Sequence, residues 1–176
     1  MAKYEKLKKH LNYLFLNTSP DAPAGSEVWA RAGKSTEWTD TMNAKTTTYE
    51  YIEDSGPTDV IESYQPSASL PLTAYAGEPV YEYIFDLYQR QEVGGNAVTK
   101  ALRVFQNKAS GGMSGAYKAQ MTDCNIVIEN FNFTTGVITF LIKQGGTPVF
   151  GTAAVSESAD ASGNKIWTPV FTPESE

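Results

Sequence analysis

Hydrophobic positions in this chain recur with a period of two far more often than with the helical period of 3.6. Strand side chains alternate between two faces, so the pattern predicts a mainly β protein. Leu11–Leu16 is apolar at nearly every position, as in a strand buried on both faces, with a Lys-rich first helical turn as the competing reading. Asn17–Gly25 gathers Asn, Thr, Ser, Asp, Pro and Gly and predicts a loop. Val28–Ala32 predicts a short strand, and Gly33–Asn43 a polar extension whose one large apolar residue is Trp38. Thr46–Glu53 and Thr58–Tyr64 flank the turn Asp54-Ser55-Gly56-Pro57 and read as extended segments. In the first, Tyr49 and Tyr51 share one face, expected to meet the core, and Thr48, Glu50 and Ile52 the other.

Ser67–Ala74 alternates Ala68, Leu70, Leu72 and Ala74 against Ser67, Ser69, Pro71 and Thr73, and Pro71 predicts an edge or a bulge because proline cannot donate to a ladder. Pro79–Gln91 is the one convincing helix. Val80, Tyr83, Ile84, Leu87 and Tyr88 form a single stripe, Pro79 suits a first helical position, and Gly94-Gly95 follows the end. Ala97–Asn107 is a predicted strand, and Ala109–Gly115 a loop. Tyr117–Phe133 and Val137–Lys143 form a hairpin about Thr134-Thr135-Gly136. Within it Ile126, Ile128 and Asn130 are predicted to oppose Val127, Glu129 and Phe131. Thr147–Phe150 lies between glycines, Ser156–Asn164 reads as a polar loop, and Ile166–Phe171 as a last strand. The sum is one domain over residues 1–176, an antiparallel β-sandwich or partly closed barrel with one flanking helix and a long extended loop around residues 21–43.

Composition narrows the function. A formal charge of −6 argues against a surface that holds nucleic acid by neutralising phosphates. Cys124 is the only cysteine, so neither an intrachain disulfide nor a thiolate cluster is available. The start, with Lys3, Lys6, Lys8 and Lys9 before Leu11–Leu16, imitates a secretory signal, but its apolar stretch is short and contains Asn12. No apolar run approaches the roughly 20 residues that cross a bilayer, and a soluble protein is expected.

Catalytic patterns are sparse. His10 is the only histidine and has no recognisable partner, which disfavours serine-triad and histidine-rich zinc chemistry. Gly33-Lys34-Ser35 imitates the end of a phosphate-binding loop, but Val28 stands where the earlier glycine belongs. Glu50, Glu53, Asp54, Asp59 and Glu62 surround one turn, and a solvated hairpin end explains them better than an acid pair or a cation cage. Asp160, Ser162 and Asn164 read as a plain turn because no Glu closes a calcium loop. Two sequons, Asn17-Thr18-Ser19 and Asn132-Phe133-Thr134, are short patterns that arise often by chance. Trp29, Trp38 and Trp167 favour packing over sugar stacking. The expectation is a non-enzymatic protein without cofactor or metal.

The order of several segments resembles the major tail tube protein family of long-tailed, siphovirus-type bacteriophages. These are Phe15-Leu16-Asn17-Thr18, Trp29-Ala30-Arg31-Ala32-Gly33-Lys34, Asn43–Ile52, Ser63-Tyr64-Gln65-Pro66-Ser67, Gly77-Glu78-Pro79-Val80-Tyr81 and Gly146–Thr152. The resemblance implies a tail-tube-like sandwich whose copies form hexameric rings stacked into a hollow tube. Hairpins of neighbouring subunits would join into an inner barrel, and a long loop would reach the adjacent ring. The implied partners are further copies of itself, a tape measure protein, a tail terminator and tail-tip proteins. DNA would pass without specific binding, in a virion tail assembled in the bacterial host cytoplasm. On that expectation Thr48, Glu50, Glu62, Asn130 and Asn132 face the lumen, and Arg31, Lys34, Trp38 and Met42 contact other subunits or rings. The alternatives are the inner tube of a contractile tail or phage-tail-like bacteriocin, and a carbohydrate- or surface-binding β-sandwich.

Overall fold

A computed structural model describes residues 12–23, 25–53, 55–109 and 115–174. The strands are β1 (Asn12–Asn17), β2 (Trp29–Arg31), β3 (Thr39–Thr41), β4 (Ala44–Tyr49), β5 (Thr58–Tyr64) and β6 (Ser67–Thr73). After the helix α1 (Pro79–Arg90) and a short 3-10 turn at Gly94–Ala97 come β7 (Val98–Ala109), β8 (Ala116–Asn132), β9 (Val137–Ala159) and β10 (Lys165–Pro173). All pairings are antiparallel. The large sheet runs β2-β1-β7-β8-β9-β6-β3, with β10 also on β9, while among the described residues β4 and β5 pair only with each other.

Two apolar clusters organise the body. The first joins Leu14, Leu16, Leu70, Leu72, Ile126, Ile138, Phe140 and Ile142 to Val80, Ile84 and Leu87 of α1. The second joins Phe15, Leu102, Val104, Ala119 and Ala153 to Trp29, Trp167 and Phe171. Leu14 and Leu16 serve one cluster and Phe15 the other, so β1 is buried on both faces, as its unbroken apolar run predicts. Burying such side chains contributes about 1.5–3 kcal/mol each, which makes this strand a main source of stability.

The helix follows its predicted stripe, and its start is held reciprocally. Glu78 accepts from the Tyr81 N–H at 2.6 Å, and Glu82 accepts from the Gly77 N–H at 2.7 Å. Gln91 ends it in the left-handed region at φ 51°, donating its N–H to the Leu87 and Tyr88 carbonyls.

β9 departs most from expectation. It is one strand of 23 residues, and Ser156–Ala159, predicted as part of a loop, ladder with Lys165–Thr168 of β10. Its first half pairs with β6 and its second with β10, while β8 follows it on the other side. The change of layer occurs where Met121 opposes Val149 but Asp123 opposes Gly145. Gly146 at φ 65° supplies a backbone turn that L side chains rarely adopt, so the strand bends without ending. Beyond the corner the strip curls until the Arg31 guanidinium stands 4.1 Å from the Tyr13 ring and 4.5 Å from the Trp167 ring. No ladder joins β2 to β10 among the described residues, so the barrel stays open there.

A second bulge reverses a predicted alternation. Ile128 opposes Phe140 and Asn130 opposes Thr139, leaving Glu129 as the extra residue. Phe131 therefore joins the face of Ile126 and Ile128, packing against Tyr81, Phe85 and Tyr88 of α1, while Asn130 turns away from it.

Candidate assembly surfaces

The hairpin β4–β5 stands apart from the body. Thr46, Thr47, Thr48 and Tyr49 oppose Ile61, Val60, Asp59 and Thr58, and Glu62 is the extra residue of a bulge. The β-branched and aromatic residues that favour strands are present, yet nothing of the body among the described residues covers either face. Thr46, Thr48, Asp59 and Ile61 share one face; Lys45, Thr47, Val60 and Glu62 share the other. Each face thus exposes an apolar residue, Ile61 at 53% and Val60 at 45%, and Ile52 beyond β4 is fully exposed. Tyr49 and Tyr51 stack on one another, with centroids 6.0 Å apart, and do not reach the core predicted for them.

Thr48, Glu50 and Glu62 do not share one wall. Thr48 Oγ1 donates to Asp59 Oδ1 at 2.6 Å. Glu62 lies on the opposite face, accepting from Thr47 Oγ1 and pairing with Lys45 at 3.2 Å. The Thr47 hydroxyl first, and then Lys45, hold the Glu62 carboxyl below its ordinary range. Glu50 is exposed beyond the end of β4. Asn130 and Asn132 are exposed on the side of β8 away from α1, and Asn132 Oδ1 accepts from the Thr134 and Thr135 N–H groups that shape the turn. That side continues through Thr139, Leu141 and Lys143 to Ser67, Ser69 and Thr73, a surface that mixes polar groups with Val127, Val137, Leu141 and Pro71.

The segment around residues 21–43 is not one free loop. It contains β2 and β3 and runs as a strap along β6, where Ser35 bridges Leu72, Ser35 Oγ donates to the Pro71 carbonyl and the Thr73 N–H bonds the Lys34 carbonyl. Gly33-Lys34-Ser35 is part of this strap, with no helix behind it. Trp38 packs against the first cluster with its indole N–H buried and unpaired, and so is largely committed within the chain. Arg31 is similarly engaged between Tyr13 and Trp167, and burial lowers its pKa. Lys34, lying 5.1 Å over the Tyr75 ring, and Met42 are exposed.

Arg103 was invisible to periodicity. It is 96% buried by its 4% exposure, pairs with Asp40 of β3 at 3.0 Å, and lies against the Gln144 amide oxygen in that side chain's hydrogen-bonding orientation. Burial lowers its pKa and the Asp40 charge opposes that shift. The only signal in the sequence is a lone arginine inside an otherwise strand-like run, Ala101-Leu102-Arg103-Val104-Phe105.

The acidic residues of the arm are spread over its faces. Among the described residues no group of three His, Cys, Asp or Glu could hold a metal ion; Asp54 and His10 lie outside them. Asp160 is a turn residue, accepting from the Ser162 and Asn164 N–H groups, and the Asn164 contacts hold its carboxyl below the ordinary range. Trp29 and Trp167 pack with the second cluster. No helix among the described residues is long and apolar enough to cross a membrane. The chain matches no family model and no curated protein.

Proposed function

We propose that this chain is the structural subunit of a phage tail tube, assembling with copies of itself into stacked hexameric rings that conduct DNA. The observation that carries the reading is the β4–β5 arm, which projects from the body with apolar residues on both faces. A two-stranded hairpin alone is marginal in water, so such an arm calls for cover from another chain.

The edges support the same reading. On β10 the Glu174 N–H bonds Phe150, so the alternate positions Pro169 and Pro173 present their missing donors to the open side. Proline on an edge discourages strand addition. Ala44–Tyr49 and Thr58–Tyr64 contain no proline, so both outer edges of the arm can pair with a neighbour. A contact from β4 of one copy to β5 of the next is heterologous, and repetition closes a ring or builds a filament. The ordered segments that resemble tail tube proteins supply the choice of a ring and of a phage tail. The sugar-binding alternative gains nothing from the tryptophans, because all three pack against the clusters.

Electron microscopy of the concentrated full chain, alone and with tail-tip and tape measure components as nucleators, tests this. Hollow tubes of stacked rings are expected. A persistent monomer under both conditions overturns the reading.

A further inference from the structure

The strand pairs β3–β6 and β4–β5 form one long ribbon with a break in the middle. Thr41 opposes Ser67 on the body side and Ala44 opposes Tyr64 on the arm side. Between them Asn43 takes a left-handed conformation, φ 47°, and Pro66 on the return strand has no N–H to give the ladder. The Gln65 N–H is shared at 3.2 Å between the Met42 and Asn43 carbonyls. The Asn43 side chain ties the break together, its Nδ2 donating to the Gln65 carbonyl at 2.9 Å and to Ser67 Oγ at 3.1 Å.

The ladder runs on both sides of the break, and the Pro66 carbonyl, on the body side, accepts from the Gln144 N–H of β9 at 3.0 Å. On the body side β3 is fixed by its ladder to β6 and by the Asp40–Arg103 pair. Beyond it the arm carries its own ladder and the side-chain ties Thr47–Glu62, Lys45–Glu62 and Thr48–Asp59.

We propose that residues 42–43 and Gln65 are a hinge, that the β4–β5 arm turns on it as one two-stranded unit, and that the Asn43 side chain is the lock that sets its direction. Asparagine suits the position twice over: it tolerates the left-handed backbone and its amide spans the gap to Gln65 and Ser67. The bearing on assembly rests on the tube reading, since an arm pointing the wrong way cannot meet its neighbour. The hinge itself does not.

Asn43→Gly keeps the left-handed conformation available, removes the side-chain ties and also frees the backbone, whereas Asn43→Asp tolerates the same backbone and loses the amide donor to the Gln65 carbonyl, so both variants are compared with the parent. Spin labels at Ser55→Cys on the arm and Gln89→Cys on α1, in a Cys124→Ala background, report the arm-to-body distance in the non-assembled chain. The expected result is a narrow distribution with Asn43 and a broadened or displaced one with each variant, while those amides of β4 and β5 that bond across the pair keep their hydrogen-exchange protection. Equal distributions, whether both narrow or both broad, overturn the lock. Loss of arm protection in Asn43→Gly overturns the hinge, because the arm would then be melting. Tube formation by the otherwise unsubstituted chain is scored separately, so a failed tube reading and a failed hinge are told apart.

Discussion

At the scale of single residues, the structure contains groups whose partners are unequal. Arg103 is buried, but the Asp40 side chain is 41% exposed. Removing Arg103 leaves a carboxylate that water already reaches, whereas removing the Asp40 charge leaves a buried guanidinium facing neutral oxygens, that of Gln144 among them. Asp40→Asn is therefore expected to cost about 2–3 kcal/mol and Arg103→Met less, by about 1 kcal/mol or more. Urea unfolding of the two variants checks the order; equal costs refute it. Glu78 makes a second test. Burial raises its pKa, against the Tyr81 and Val80 N–H groups and Lys34, which lower it. A carboxyl that holds its proton more tightly when folded favours folding at low pH and loses that contribution as pH rises through the raised value. Glu78→Gln keeps an acceptor for Tyr81 without the charge, so its stability relative to the parent should be higher at about pH 7 than at about pH 4. Glu78→Ala loses the cap as well and should cost about 1 kcal/mol. Thermal melts at both pH values decide, and a pH-independent difference for Glu78→Gln would exclude the titration argument.

At the scale of elements, what could be read in advance depended on whether a strand keeps its phase. The apolar run before Asn17 and the stripe Val80–Tyr88 of α1 are local signals, and both formed the predicted elements within the described residues. Bulges are not local signals, because an extra residue is fixed by the partner strand. Alternation read from Ile126 onward fails at Glu129 for this reason, and places Phe131 and Asn130 on the wrong faces. The long β9 was concealed similarly: its glycines look like loop punctuation, yet Gly145 and Gly146 turn a corner and Gly151 lets β10 approach. A Cβ at Gly151 would meet the Thr172 carbonyl oxygen and the Phe171 ring, and neither backbone nor packed ring yields freely. Gly151→Ala is expected to destabilise by about 1–3 kcal/mol, with the loss of exchange protection centred on Thr152–Val155 and Thr168–Thr172. Uniform loss over the whole sheet would contradict that placement. The arm was legible as two strands, but its separation from the core was not, since Tyr49 and Tyr51 alternate as core residues do.

At the scale of the molecule, charge and exposed apolar surface are concentrated on the same part. Residues 44–64 carry five acids, Glu50, Glu53, Asp54, Asp59 and Glu62, against Lys45, a net −4 within a chain of −6. Any assembly that brings several arms together must place these charges near one another, and their repulsion opposes the burial of Val60 and Ile61 that drives contact. The two effects respond differently to salt. Charges about 20 Å apart feel one another at 0.01 M ionic strength, where screening extends about 30 Å, and much less at 0.1 M, where it extends about 10 Å. Burial of apolar surface is not weakened over that range. The concentration needed for tubes should therefore fall as salt rises, and the combined variant Glu50→Gln, Glu53→Gln should assemble at low salt nearly as the parent does at high salt. Light scattering against protein concentration at the two ionic strengths measures this. A threshold that rises with salt would mean that arm acids meet cations across the contact, and the arm would then have to lie against a basic face of its neighbour instead of beside another arm.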